Sequence, residues 1–111
     1  RFAGRTFIIA DASNASATFQ FLDYVKTNRL ATIVGQPTGG NRQGINGGNY
    51  LFLSLPNSAI EIDIPLYFQA PLKEQPDRSV IPDVLVKRRP EDIGNGSDRE
   101  MAEIKRLIGE R

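Results

Sequence analysis

An α/β domain is the fold class this sequence predicts, and three features predict it. Residues 6–10 (Thr-Phe-Ile-Ile-Ala) are a short continuous apolar run rich in β-branched and aromatic side chains, the pattern of a strand buried on both faces in a parallel sheet. Residues 15–27 then change to helical spacing, with Ala17, Phe21, Tyr24 and Val25 on one stripe and Ser13 placed as an N-cap. Residues 31–34 (Ala-Thr-Ile-Val) return to the strand pattern. Strand, helix, strand in so short a span is the parallel crossover unit.

The later elements follow in order. Residues 35–48 are rich in glycine and lack apolar periodicity, which predicts a long loop, either functional or simply mobile. Residues 50–55 and 59–68 alternate as strands around Pro56-Asn57-Ser58, an antiparallel hairpin with Ile60, Ile62 and Ile64 on a buried face and Glu61, Asp63 and Pro65 toward solvent. Residues 69–78 read as a solvated connection, and residues 84–86 (Val-Leu-Val) as a short strand. Ser97-Asp98-Arg99-Glu100 has the form of a capping box opening a terminal helix that carries Met101, Ile104, Leu107 and Ile108 at helical spacing.

Composition narrows the function. A length of 111 residues predicts one domain rather than two, and 40% hydrophobic with 24% charged residues is ordinary for a globular chain. The 14 basic and 13 acidic side chains nearly cancel, so no single-sign field draws in nucleic acid or an anionic membrane. No apolar run is long enough to span a bilayer. The chain has neither cysteine nor histidine, which removes thiolate chemistry and leaves neutral-pH proton transfer to a tuned Lys, Asp or Glu, or to a histidine from outside these residues. Asp23, Asp63, Asp83 and Asp92 lack metal-ligand spacing, so neither a metal nor another cofactor is expected. An opening Arg followed at once by a strand is expected of a fragment or a processed chain.

One position combines the features acyl transfer requires. Ser16 falls where the first strand hands over to the helix, at the positively polarised end where backbone N–H groups lack helical partners. A serine there is by base frequency a cap. A nucleophile also needs a base within hydrogen-bond reach, and Lys26, ten residues further along the helix, is roughly 15 Å away at 1.5 Å per residue. The base is therefore expected from the glycine-rich loop or from sequence not present here. Arg42 stays charged and cannot serve as a base, though its guanidinium suits a substrate carboxylate.

Asn14-Ala15-Ser16-Ala17, the following helix, Arg29 with Ala31-Thr32-Ile33-Val34-Gly35, then Gln36-Pro37-Thr38-Gly39-Gly40 resemble the nucleophile-to-base stretch of the C-terminal processing (tail-specific) serine peptidases. Ile81-Pro82-Asp83-Val84-Leu85-Val86 is similar to that family's closing strand. The resemblance covers most of the chain. It implies the C-terminal portion of a Clp-protease/crotonase-like spiral domain, a peptide or protein substrate, and a periplasmic or extracellular location. Homo-oligomers are compatible with it. It implies Ser16 as nucleophile, the Ala17 N–H as one oxyanion donor, and Gly40, Asn41 and Arg42 as substrate-binding positions. The family's catalytic lysine falls at Asn41, which cannot accept a proton from serine. Three explanations stand: a branch with its base upstream, a relative that binds a peptide or ligand without catalysis, or a different loop register.

Overall fold

The computed structural model describes residues 3–109. In chain order its elements are β1 (Phe7–Ala10), α1 (Ser16–Asn28), β2 (Thr32–Gly35), β3 (Ile45–Ser54), β4 (Glu61–Gln69), β5 (Val84–Leu85), α2 (Pro90–Asn95) and α3 (Arg99–Ile108). The chain divides into two compact units, one of Arg1–Gly40 with Ser79–Arg111 and the other of Asn41–Arg78. The fold is mixed α/β with a small parallel sheet, as the strand–helix–strand pattern predicts.

The sheet of the first unit has the order β1-β2-β5, with β2 parallel to both neighbours. Central placement explains the burial of β2, where Ile33 and Val34 are wholly buried. The expectation that β1 is buried on both faces fails: Ile9 is 39% exposed and only Ala10 is buried, because β1 is an edge strand with one neighbour. Phe19, Leu22 and Val25 of α1, with Val80 and Val86, complete the core, each such side chain contributing about 1.5–3 kcal/mol by leaving water.

The predicted apolar stripe of α1 is also corrected. Phe21 and Tyr24 are 55% and 62% exposed, and of the predicted stripe only Val25 is buried. The helix carries apolar residues on more than one stripe, and periodicity does not say which one meets the sheet. Contact chooses: a Cβ at Gly40 would lie 2.2 Å from Cγ of Phe19, so that turn closes against the Phe19 side. At the other end Arg29 takes a left-handed φ of 53°, and the Leu30 N–H reaches the Val25 carbonyl at 3.1 Å, closing the helix in the Schellman manner.

Asp83, just before β5, fastens helix to sheet. Its N–H donates to the Ile33 carbonyl at 2.8 Å, its carboxylate accepts from the Ile33 N–H at 2.8 Å, and Lys26 forms an ion pair with it. Burial pushes the Asp83 carboxyl up, but Lys26 and the Ile33 N–H outweigh it and hold the group below the usual aspartate value. Lys26 is thus engaged at the C-terminal end of α1, away from Ser16.

The terminal region departs from prediction twice. Asp98, rather than Ser97, caps α3, accepting from the Met101 N–H at 2.8 Å, and Glu100 turns inward instead of closing a box. The additional helix α2 was signalled by Pro90 at its start, acidic Glu91 and Asp92 in its first turn, and Gly96 at its end. Its buried Asp92 accepts from the Arg89 N–H at 2.7 Å and pairs with Arg99, which holds its carboxyl low.

The second unit is the predicted hairpin. Leu51 pairs with Ile64 and Leu53 with Ile62, and the turn is closed by Leu55 N–H to Ile60 O and Ala59 N–H to Leu55 O, each at 2.9 Å. The glycine-rich segment is shorter than expected, since β3 begins at Ile45 and continues through a bulge between Gly47 and Tyr50. The predicted buried face is not buried. Ile60, Ile62 and Ile64 are 58%, 41% and 36% exposed, because two strands alone have no layer to pack against. Among the described residues no helix is long and apolar enough to cross a membrane.

Candidate active site

The site is assembled where β1 ends. Ala10 is buried, and the chain then makes a tight turn in which the Asn14 N–H donates to the Asp11 carbonyl at 3.0 Å. Side chains lock this turn. Oδ1 of Asn14 accepts from the Asp11 N–H at 2.8 Å, while Oδ1 of Asp11 accepts from the Ser13 N–H at 2.9 Å and the Ser13 hydroxyl at 2.6 Å. The predicted Ser13 cap is therefore corrected: its hydroxyl serves Asp11, and the N-cap of α1 is Ala15, which has no side chain to donate or accept.

Ser16 follows with a left-handed φ of 53° and an exposed side chain. That conformation costs a non-glycine residue about 1–2 kcal/mol, so the surroundings must enforce it. The first turn of α1 has no side-chain cap and no acidic residue, which leaves its positive end open to a developing anion. Ala17, also exposed, presents the next backbone N–H of that turn. Among the described residues the Ser16 hydroxyl has no hydrogen-bond partner.

The glycine bend packs beside this corner. The Gly39 N–H donates to the Asn14 carbonyl at 3.2 Å, and a Cβ at Gly39 would lie 2.1 Å from the Ala12 carbonyl oxygen. Only glycine allows that approach. Buried Thr38 holds the bend from behind: its hydroxyl accepts from the Val80 N–H at 3.0 Å and its own N–H donates to the Val80 carbonyl at 3.2 Å. Nothing in the sequence distinguished Thr38 from an ordinary loop residue.

The predicted site residues thus divide. Ser16, Ala17 and Gly40 lie in the first unit around one corner, and Asn41 and Arg42 belong to the second. The Asn41 amide donates to Asp77 and its Oδ1 accepts from the Gln43 N–H at 2.6 Å, while the Arg42 N–H donates to the Arg78 carbonyl at 3.2 Å. Asn41 closes the neck of the hairpin.

Three residues that sequence reasoning missed stand behind the corner. Oδ2 of Asp11 pairs with Nη1 of Arg88 at 3.2 Å, and Nε of Arg88 donates to Glu100 at 2.7 Å, where Glu100 is only 3% exposed. The Ser13 hydroxyl and N–H, assisted by Arg88 and opposed by partial burial, hold the Asp11 carboxyl below its usual value. Glu100 raises the Arg88 guanidinium further. The signal for Asp11 was its Asp-Ala-Ser-Asn setting; nothing local marks Arg88.

Clefts among the described residues of the first unit lie elsewhere. One is polar and lies by Arg5, Lys26, Arg29 and Asp83, and another is bounded by Leu85, Val86, Arg89, Arg99 and Arg106. Among the described residues no three His, Cys, Asp or Glu side chains gather to hold a metal. No protein-family model matches the chain, and no curated protein matches it.

The Asp11 network has a definite acid limit. A carboxyl lowered on folding stabilises the fold above its unfolded pKa, and that contribution is lost as the pH falls through the lowered folded value. A carboxyl-carbon NMR titration of Asp11 should give a midpoint below the ordinary 3.8. A midpoint at or above 3.8 would mean the Ser13 and Arg88 bonds do not form in solution.

Proposed function

We propose that this chain is the C-terminal portion of a serine-type peptidase of the C-terminal processing kind, on a Clp-protease/crotonase-like spiral, acting on peptides beyond the cytoplasmic membrane. One observation carries the reading: an exposed serine in a left-handed backbone at the uncapped start of a helix, with a glycine bend pressed against the preceding turn. The resemblance of the Asn14 to Gly40 stretch supports the same assignment.

In this reading Ser16 Oγ attacks the scissile carbonyl, and its proton passes to a base outside these 111 residues. The Ala17 N–H donates to the tetrahedral oxyanion. Collapse breaks the C–N bond, the leaving amine takes the proton, and water hydrolyses the Ser16 ester. Gly40 shapes the bend beside the nucleophile. A peptide can add along β1 or β5, the two edge strands of the sheet, with Asn41 and Arg42 as the binding positions that the resemblance implies.

The test is labelling with a serine-directed phosphonate. The 111-residue chain should stay unlabelled for want of a base, and a form extended upstream should be labelled at Ser16 and not in Ser16→Ala. An extended, folded form that remains unlabelled would instead favour a relative that binds without catalysis.

A second reading is favoured by the bare hairpin, namely that the second unit pairs with another copy of this chain. Leu51, Leu53, Ile60, Ile62, Ile64, Leu66 and Phe68 share one face and are 36% to 61% exposed. They leave on the order of 600 Å² of apolar surface, the upper end for a monomer and close to the ~800 Å² each partner gives a standard interface. Glu61 and Asp63 lie on the opposite face, so two copies meet without charge repulsion. Sedimentation velocity should show a concentration-dependent dimer that Ile62→Asp abolishes. A monomer at all concentrations would refute it.

A further inference from the structure

We infer that Arg88 is a positioning residue for Ser16: anchored by buried Glu100, its guanidinium clamps the Asp11 turn and thereby fixes the corner from which Ser16 projects. The inference rests on the nucleophile reading for its functional consequence, but the clamp stands on geometry of its own.

Arg88 bridges two carboxylates on separate elements, Glu100 in α3 at 2.7 Å and Asp11 after β1 at 3.2 Å. An exposed ion pair contributes little to stability. This one differs because Glu100 is almost wholly buried and anchors Nε of Arg88 at 2.7 Å, and the fork of a guanidinium can hold two carboxylates in a fixed orientation. The order it imposes passes directly to the corner. With Oδ2 on Arg88, the other oxygen of Asp11 is aimed at the Ser13 N–H and hydroxyl. Asn14, bonded back to Asp11 by both backbone and side chain, then presents its carbonyl to the Gly39 N–H. Ser16 is two residues further on, in a backbone conformation that persists only while its neighbours leave no alternative. Among the described residues, Arg88 is the one positively charged group from outside the turn that meets Asp11.

Two readouts test this on Arg88→Met, Arg88→Lys and Glu100→Gln. Amide hydrogen exchange on the 111-residue chain follows the N–H groups of Asp11, Ser13, Asn14 and Gly39, with those of Leu22 and Val25 as controls. Phosphonate labelling of Ser16 in the upstream-extended form follows the consequence. Arg88→Met should speed exchange at the four corner amides and spare the helix controls, and should slow labelling by up to about 10²-fold, the scale for a reacting group displaced by an ångström. Arg88→Lys, which supplies charge without the fork, should recover part of both effects, and Glu100→Gln should weaken them less than Arg88→Met. Unchanged corner exchange in Arg88→Met would overturn the clamp. Faster exchange with unchanged labelling would overturn its link to Ser16. A wild-type protein that takes no label would refute the nucleophile reading instead, leaving the exchange arm to decide the clamp.

Discussion

A serine placed in the left-handed region at the first residue of a helix is held there against a steric penalty of about 1–2 kcal/mol, which a glycine would not feel. In this chain the penalty is offset by the structure on either side. Before Ser16, the Asp11 to Asn14 turn is tied by side-chain and backbone bonds of Asp11, Ser13 and Asn14. After it, Phe19, Leu22 and Val25 commit α1 to the sheet, and Lys26 with Asp83 secures the far end of the helix. With both flanks fixed, the residue between them has little freedom. The same geometry leaves the helix start without a side-chain cap, because the N-cap position falls to Ala15 and the Ser13 hydroxyl is turned to Asp11. Strain, exposure and an open positive end therefore arise from one arrangement.

The sheet-forming runs were legible because their signal is local. Short β-branched runs at residues 7–10 and 32–35 become parallel neighbours, and the hairpin turn falls at Pro56-Asn57-Ser58 as its residues require. What failed was everything set by neighbours. Which stripe of α1 is buried depends on where Gly40 approaches, and the exposure of Ile9 depends on β1 lying at an edge. Ser97 and Asp98 are equally good caps by type, and only the path of the chain selects Asp98. At the site, Ser16 could be chosen from its position between strand and helix. Arg88 and Glu100, which support the Asp11 turn before it, lie more than seventy residues away, and no spacing rule connects them to it.

The two units divide the chemistry of the chain between them. The first carries the corner, the bend behind it and the charged support. The second is a two-stranded ribbon whose neck is closed by Asn41 with Asp77 and by Arg42 with Arg78. That use of Asn41 gives the residue a structural task within the ribbon. Apolar and acidic residues alternate in the ribbon from Ile60 to Ile64, whereas Tyr50 to Leu53 and Leu66 to Phe68 are continuous apolar runs exposed on both faces.

The most direct measurement of the central constraint is the relative stability of Ser16→Gly and Ser16→Ala by urea denaturation. Glycine enters a left-handed position without strain, so the glycine variant should be the more stable, by about 1 kcal/mol. Ordinary helical backbone at Ser16 would reverse the order, with alanine ahead by up to about 1 kcal/mol, and that result would contradict the account.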